Sequence, residues 1–231
     1  MFSGILKKSA AEACGTFVFM LIGCGAIRLH ALQPDAMPAM LIPALFGLAI
    51  CVMIFTLGPV SGAHFNPAVT AAFAVTGRFP LRQMPWYWAA QSLGALLAMA
   101  IISWFLPETS VFGRTQPALP LLQAFALELL LSFILMLVIT AVATDSRVTG
   151  TRAGLAIGMT VAFCAYAGGP LTGASMNPVR SLAPALFENR LEHLWLYFAG
   201  PLAGTILAAF FYEWLRSCDD ASTRKQAKGC C

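Results

Sequence analysis

Two short stretches carry the polar chemistry of this chain. They are Ser61-Gly62-Ala63-His64-Phe65-Asn66-Pro67-Ala68-Val69-Thr70 and Thr172-Gly173-Ala174-Ser175-Met176-Asn177-Pro178-Val179-Arg180-Ser181. In each, a Gly-containing extended run leads to an Asn at a helix N-cap and a Pro at the first helical position, a strong helix-start signal. A helix N-terminus presents unpaired N–H groups and a partial positive charge of about half a unit. Two such ends aimed at one point repel cations and orient a neutral hydrogen-bonding molecule. The side-chain amides of Asn66 and Asn177 add donors there. Upstream, the carbonyls of Gly62, Ala63 and His64 and of Gly173, Ala174 and Ser175 make a ladder of acceptors. A small neutral solute that sheds water beside such a polar stripe regains its hydrogen bonds, whereas an ion does not recover its hydration.

The elements that position these boxes are apolar. Of 231 residues, 59% are hydrophobic and 10% charged, against about 25% charged in soluble domains. Six segments near 10–30, 38–58, 85–106, 120–143, 152–168 and 193–215 approach or reach the roughly 20 residues that span a bilayer core. The first contains Glu12 and belongs to a repeat, so it is kept as a span rather than read as a cleaved signal. The boxes fall between spans, and irregular backbone at membrane depth survives only where it is enclosed by protein or lines a watery cavity. Both are therefore read as re-entrant half-helices. With both termini cytoplasmic, ten basic residues lie inside (Lys7, Lys8, Arg78, Arg82, Arg147, Arg152, Arg216, Arg224, Lys225 and Lys228), and Arg28, Arg114 and Arg190 lie outside. The net charge of +4 thus reports topology, not a nucleic-acid surface.

The chain is written twice. Glu12 precedes Asn66 as Glu128 precedes Asn177, and the Gly94 segment follows the first box as the Gly204 segment follows the second. Three full spans per copy is odd, so the second copy crosses the membrane in the opposite sense. The expected fold is an all-α membrane protein with six transmembrane helices and two half-helices in an inverted repeat. It forms a single domain over 1–231, with copies at about 8–108 and 120–215 and a polar cytoplasmic tail at 217–231. Gly154 with Gly158, and Gly200 with Gly204, are spaced for close helix approach. Glu12 and Glu128 are buried acids, read as acceptors for donors from the box loops, with a proton relay as the alternative. Arg180, in the first turn of a half-helix, faces a cavity. Cys14, Cys24, Cys51 and Cys164 read as small core residues, and Cys230 and Cys231 as the end of the tail. No metal or cofactor spacing is present.

The two boxes, the Arg after the second and the duplicated Glu helices resemble the aquaporin, or major intrinsic protein, family, over residues 8–215. The resemblance implies one pore per subunit and a homotetramer. It assigns the family's aromatic/arginine constriction to Phe46, Ala165, Ala174 and Arg180; a shift of one residue puts Tyr166 in place of Ala165 and narrows the ring. Strict water channels have His where Ala165 stands. Glycerol facilitators share a small residue there, but have Asp where this chain has Ser181 and Pro-Leu where it has Tyr197-Phe198. Val179 replaces the usual Ala of the box, and the wording Gly-Ala-Ser-Met-Asn-Pro is similar to nodulin-26-like channels. The expectation is passive flow of water and small neutral solutes such as glycerol-like polyols or neutral metalloid acids. A strictly water-selective channel is the alternative.

Three other classes fit less well. A secondary transporter has the same symmetry but wants a coupling-ion site, and the only mid-helix acids are Glu12 and Glu128. An ion channel wants a ring of acids or a repeated carbonyl filter. An intramembrane enzyme wants a partner for His64, which is read instead as a hydrogen-bonded wall residue.

Overall fold

The computed structural model describes residues 2–144 and 151–216. The expected tail, with Cys230 and Cys231, lies outside them, as do Arg147, Arg224, Lys225 and Lys228. Among the described residues the regular structure is helical: α1 (Phe2–Leu32), α2 (Ile42–Ser61), α3 (Pro67–Val75), α4 (Met84–Phe105), α5 (Leu121–Thr144), α6 (Thr151–Thr172), α7 (Pro178–Phe187) and α8 (Leu194–Leu215). Six are long and apolar enough to cross a bilayer, and α3 and α7 are the half-helices. The protein is integral and multi-pass.

Helices α2 and α6 run past the expected ends at 58 and 168, through Pro59 and Pro170, to Ser61 and Thr172. Each proline removes one amide donor while its fixed φ stays helical. At membrane depth the remaining backbone groups still need partners, so the ladder continues until a left-handed glycine stops it. Gly62 and Gly173 have φ of 87° and 86°, and their amides return to Gly58 and Gly169 carbonyls at 2.9 Å.

Packing repeats across the halves. Helix α1 packs on α4 as α5 packs on α8, and α2 meets α6 at the centre. Each half-helix reaches into the other copy, α3 against α8 and α7 against α4. The seams are backbone-close. A Cβ at Gly94 would lie 2.2 Å from the Ala13 carbonyl oxygen, and one at Gly204 would lie 2.1 Å from that of Leu129. Gly47 and Gly158 face each other in the same way, their added carbons 2.3 and 2.6 Å from each other's carbonyl oxygens.

One expectation is corrected. Cys14 is exposed on the outer face of α1, because Glu12, Gly15, Thr16 and Phe19 take the inward face; Cys24, Cys51 and Cys164 are buried. Arg28 is enclosed by the chain. It is 2% exposed, donating Nε to the Leu106 carbonyl at 2.7 Å and stacking 4.0 Å over the Phe112 ring.

Candidate functional site

The two boxes meet head to head. The Asn66 side-chain oxygen accepts the Ala68 amide at 2.9 Å, and that of Asn177 accepts the Val179 amide at 3.1 Å, so each Asn caps its own half-helix. Each side-chain nitrogen then reaches across. Asn66 Nδ2 donates to the Met176 carbonyl at 2.7 Å and Asn177 Nδ2 to the Phe65 carbonyl at 2.9 Å. One of the two protons on each amide is thus spent holding the opposing loop, which leaves one per Asn for a passing molecule. Pro67 and Pro178 occupy the first helical positions, and Ala68 and Val179 are buried in the seam behind them.

The loops upstream are held in a strained backbone. Ala63 and Phe65 have φ of 53° and 49°, and Ala174 and Met176 have 43° and 53°. Left-handed geometry costs a residue with a Cβ about 1 kcal/mol or more, so something must impose it. In the first loop that is Glu12. Its Oε1 accepts Ser61 Oγ (2.7 Å) and the His64 amide (2.9 Å), and its Oε2 accepts the Phe65 amide (2.7 Å) and Gln91 Nε2 (2.8 Å). In the second loop Glu128 accepts Thr172 Oγ1 (2.7 Å), the Ser175 amide (2.9 Å) and the Met176 amide (3.0 Å). With these N–H groups turned toward the acids, the loop carbonyls are left for the other side. Tyr87 and Tyr197 complete the clamps from α4 and α8, each hydroxyl donating at 2.7 Å to the last carbonyl of α2 (Ser61) or α6 (Thr172).

A cavity opens on each side of the junction. One, about 760 Å³, is bordered by Phe46, Ala165, Tyr166, Gly113, Gly173 and Arg180. Arg180 is buried, donates Nη1 to the Gly113 carbonyl at 2.7 Å, and has its guanidinium carbon 5.1 Å from the Phe46 ring centroid. Ala165 and the more exposed Tyr166 both border this space, whereas Ala174 is buried and Gly173 stands at the cavity wall. The other, about 470 Å³, is lined by Ile54, Val69, Ile157 and Leu135 together with Gly62, Ala63, His64, Asn66, Ser175 and Asn177. His64 sits among Phe73, Phe79 and Tyr87, its Nδ1 3.1 Å from Thr70 Oγ1. Thr70 Oγ1 already donates to the Asn66 carbonyl at 2.9 Å. His64 Nδ1 is therefore the donor of that pair and the ring's Nε2 the acceptor.

Sequence reasoning missed four residues that shape this site. Tyr87 and Tyr197 were detectable, since each stands seven positions before the paired Gly94 and Gly204. Gly113 and Glu188 gave no local signal. They come together only because the segment after α4 folds back over α7.

Comparison with known proteins agrees with this geometry. The sequence profile of the family described as Major intrinsic protein matches residues 2–212. A protein named "Probable aquaporin NIP-type" from Nicotiana alata is 42% identical over 218 residues, covering 93% of this chain and 80% of that protein. Nodulin-26 of Glycine max is 43% identical over 215 residues, covering 93% of this chain and 79% of its own length. The X-ray structure of the aquaglyceroporin from Plasmodium falciparum superimposes with a TM-score of 0.83 at 25% identity, covering 90% of this chain and 96% of that one.

Proposed function

Because the chain belongs to the major intrinsic protein family and is a membrane channel for water and small neutral solutes, we propose that solutes pass single file between the two Asn-Pro boxes. Their size and chemistry are selected at the outer constriction of Phe46, Ala165, Ala174 and Arg180. The observation that carries this reading is the crosswise pair of Asn66 and Asn177 bonds, which sets two helix N-termini at one point between two cavities. Their positive ends and Arg180 repel cations and protons. The carbonyls of Gly62, Ala63, His64, Gly173, Ala174 and Ser175 carry the solute's donors past an apolar wall. Glu12 and Glu128 act as loop anchors, because their oxygens are occupied by loop donors and leave no site for a coupled ion.

The outer ring has one aromatic, one cation and a methyl where an imidazole would narrow it. That composition suits a small polyol, whose carbon backbone lies on the Phe46 ring while its hydroxyls meet Arg180. A structural relative described as an aquaglyceroporin supports the same solute class for this chain. Neutral metalloid acids of similar size share that chemistry. The remaining elements of the reading are a homotetramer with one pore per subunit, cytoplasmic termini and a fold of two copies at about 8–108 and 120–215.

Stopped-flow light scattering on proteoliposomes tests the reading with water, glycerol and boric acid. Wild type passes all three. Ala165→His lowers the ratio of glycerol to water permeability by about tenfold, since an added group in a narrow apolar site costs 10- to 200-fold in discrimination. An unchanged ratio places the constriction elsewhere.

A further inference from the structure

The peptide unit joining Gly113 to Arg114 lies between two opposite charges. Its carbonyl accepts Arg180 Nη1 at 2.7 Å, and its N–H donates to Glu188 Oε1 at 3.3 Å. The same carboxylate oxygen takes the Phe112 amide at 2.9 Å, and Glu188 Oε2 takes Arg114 Nε at 3.0 Å. A carboxylate on the N–H end and a guanidinium on the C=O end polarise one amide in the same direction, so each bond strengthens the other. Gly113 is the residue this arrangement permits: its φ is 83°, and a Cβ there would lie 2.8 Å from Ile27 Cδ1.

Two observations argue that Glu188 does more than hold a loop. It is the C-cap of α7, where the helix dipole disfavours an anion, so the position does not serve helix stability. The segment is also tied down without it. Arg28 holds the Leu106 carbonyl, Thr115 Oγ1 and Ser181 Oγ lie 2.7 Å apart, and the Ala118 amide meets the Leu171 carbonyl at 2.9 Å. Among the described residues Arg180 itself has a carbonyl and a ring face but no ion pair. The counter-charge reaches it through the peptide.

We propose that Glu188 is a selectivity-determining positioning residue, fixing the Arg180 guanidinium at the outer constriction through the Gly113–Arg114 peptide. This rests on the reading of that constriction given above.

Proteoliposomes carrying Glu188→Ala, Glu188→Gln, Arg180→Val and the Glu188→Ala/Arg180→Val double variant are compared for glycerol and water permeability, normalised to channel number. Glu188→Ala raises the glycerol-to-water ratio by about fivefold, as expected when one hydrogen bond at a charged group is weakened. Glu188→Gln keeps an acceptor for the two amides and gives a smaller rise. Glu188→Ala adds nothing once Arg180 is gone. If Glu188→Ala does not reach the vesicles, Glu188→Gln in both backgrounds carries the same comparison. An unchanged ratio in Glu188→Ala, or an equal change with and without Arg180, overturns the link. Should Arg180→Val match wild type, the constriction reading fails and this proposal with it.

Discussion

The loop before Asn66 and the loop before Asn177 share one backbone and present different side chains to the pathway. Gly62 matches Gly173 in φ, the strained pairs Ala63/Phe65 and Ala174/Met176 match, and both loops hang from a glutamate and a tyrosine. The boxes are offset by 111 positions (177 minus 66), and the same offset pairs Phe46 with Ile157, Ile54 with Ala165, and Val69 with Arg180. Duplicated backbone makes the junction, and unduplicated side chains put the charged Arg180 at one mouth only. At the opposite mouth the corresponding positions are Ile157, Ile54, Ala63 and Val69, which border the second cavity with no charge. A molecule built on a pseudo-two-fold axis is thereby given a direction to its chemistry, though not to its transport.

The largest expected effect comes from the anchors. Glu12 holds four donors and Glu128 three, because Gln91 in α4 corresponds to Pro201 in α8, which carries no side-chain donor. Each buried donor left unpaired costs about 1–3 kcal/mol. Glu12→Ala should therefore cost roughly 4 kcal/mol or more and Glu128→Ala roughly 3, enough to abolish most folded channel in either case. Thermal unfolding in detergent, with water permeability as the functional readout, ranks them. A lower midpoint for Glu128→Ala than for Glu12→Ala would show that donor number does not set the strength of the anchor.

Next is the pair that breaks the symmetry. Arg180→Val makes the mouth bordered by Phe46 and Ala165 a copy of the opposite one at this position, and proton leak through the vesicles should rise by about tenfold or more, since a unit charge about 12 Å away at an effective dielectric near 20 already contributes about 1.4 kcal/mol to the barrier. Val69→Ala, at the equivalent position of the opposite mouth, should leave leak and selectivity unchanged. A pH-sensitive dye inside the vesicles reads both. Equal leak in the two variants would put the whole barrier at the Asn66/Asn177 junction.

Much of this comparison is legible in the sequence, for a physical reason. Caps, helix-starting prolines and buried acids are local signals, and duplication shows each of them twice, so Asn66, Asn177, Glu12 and Glu128 stand out. Parity of the spans then orients the two half-helices. What escapes is pairing across distance. The Asn amides look like free donors until the opposing carbonyls are brought within 3 Å. Arg28 reads only as a basic residue near the end of the first span, and its burial depends on where residues 106–112 fold. Glu188 is silent for the same cause. Cys14 is misplaced because an α1 that is apolar on all sides gives no periodic sign of which face meets lipid.

The smallest effect falls on the tyrosines, where the two halves should behave alike. Each hydroxyl donates at 2.7 Å to a carbonyl at the end of a membrane helix, Tyr87 to Ser61 and Tyr197 to Thr172. Those carbonyls are the last of their helices, so no amide of the same helix takes the place of the hydroxyl. Removing one buried bond while keeping the ring costs about 1 kcal/mol, or a midpoint lowered by about 2–4 °C in a chain of this size. Tyr87→Phe and Tyr197→Phe should therefore lower the thermal midpoint equally, with water permeability per channel within about twofold of wild type, since neither hydroxyl touches solute. The surroundings differ: the Tyr87 ring packs against His64 and Phe79, and Tyr197 packs with Leu196 and Ala124. A loss confined to Tyr87→Phe would mean that the hydroxyl also sets the His64 ring, and that the His64 half of the pathway is less passive than its apolar wall implies.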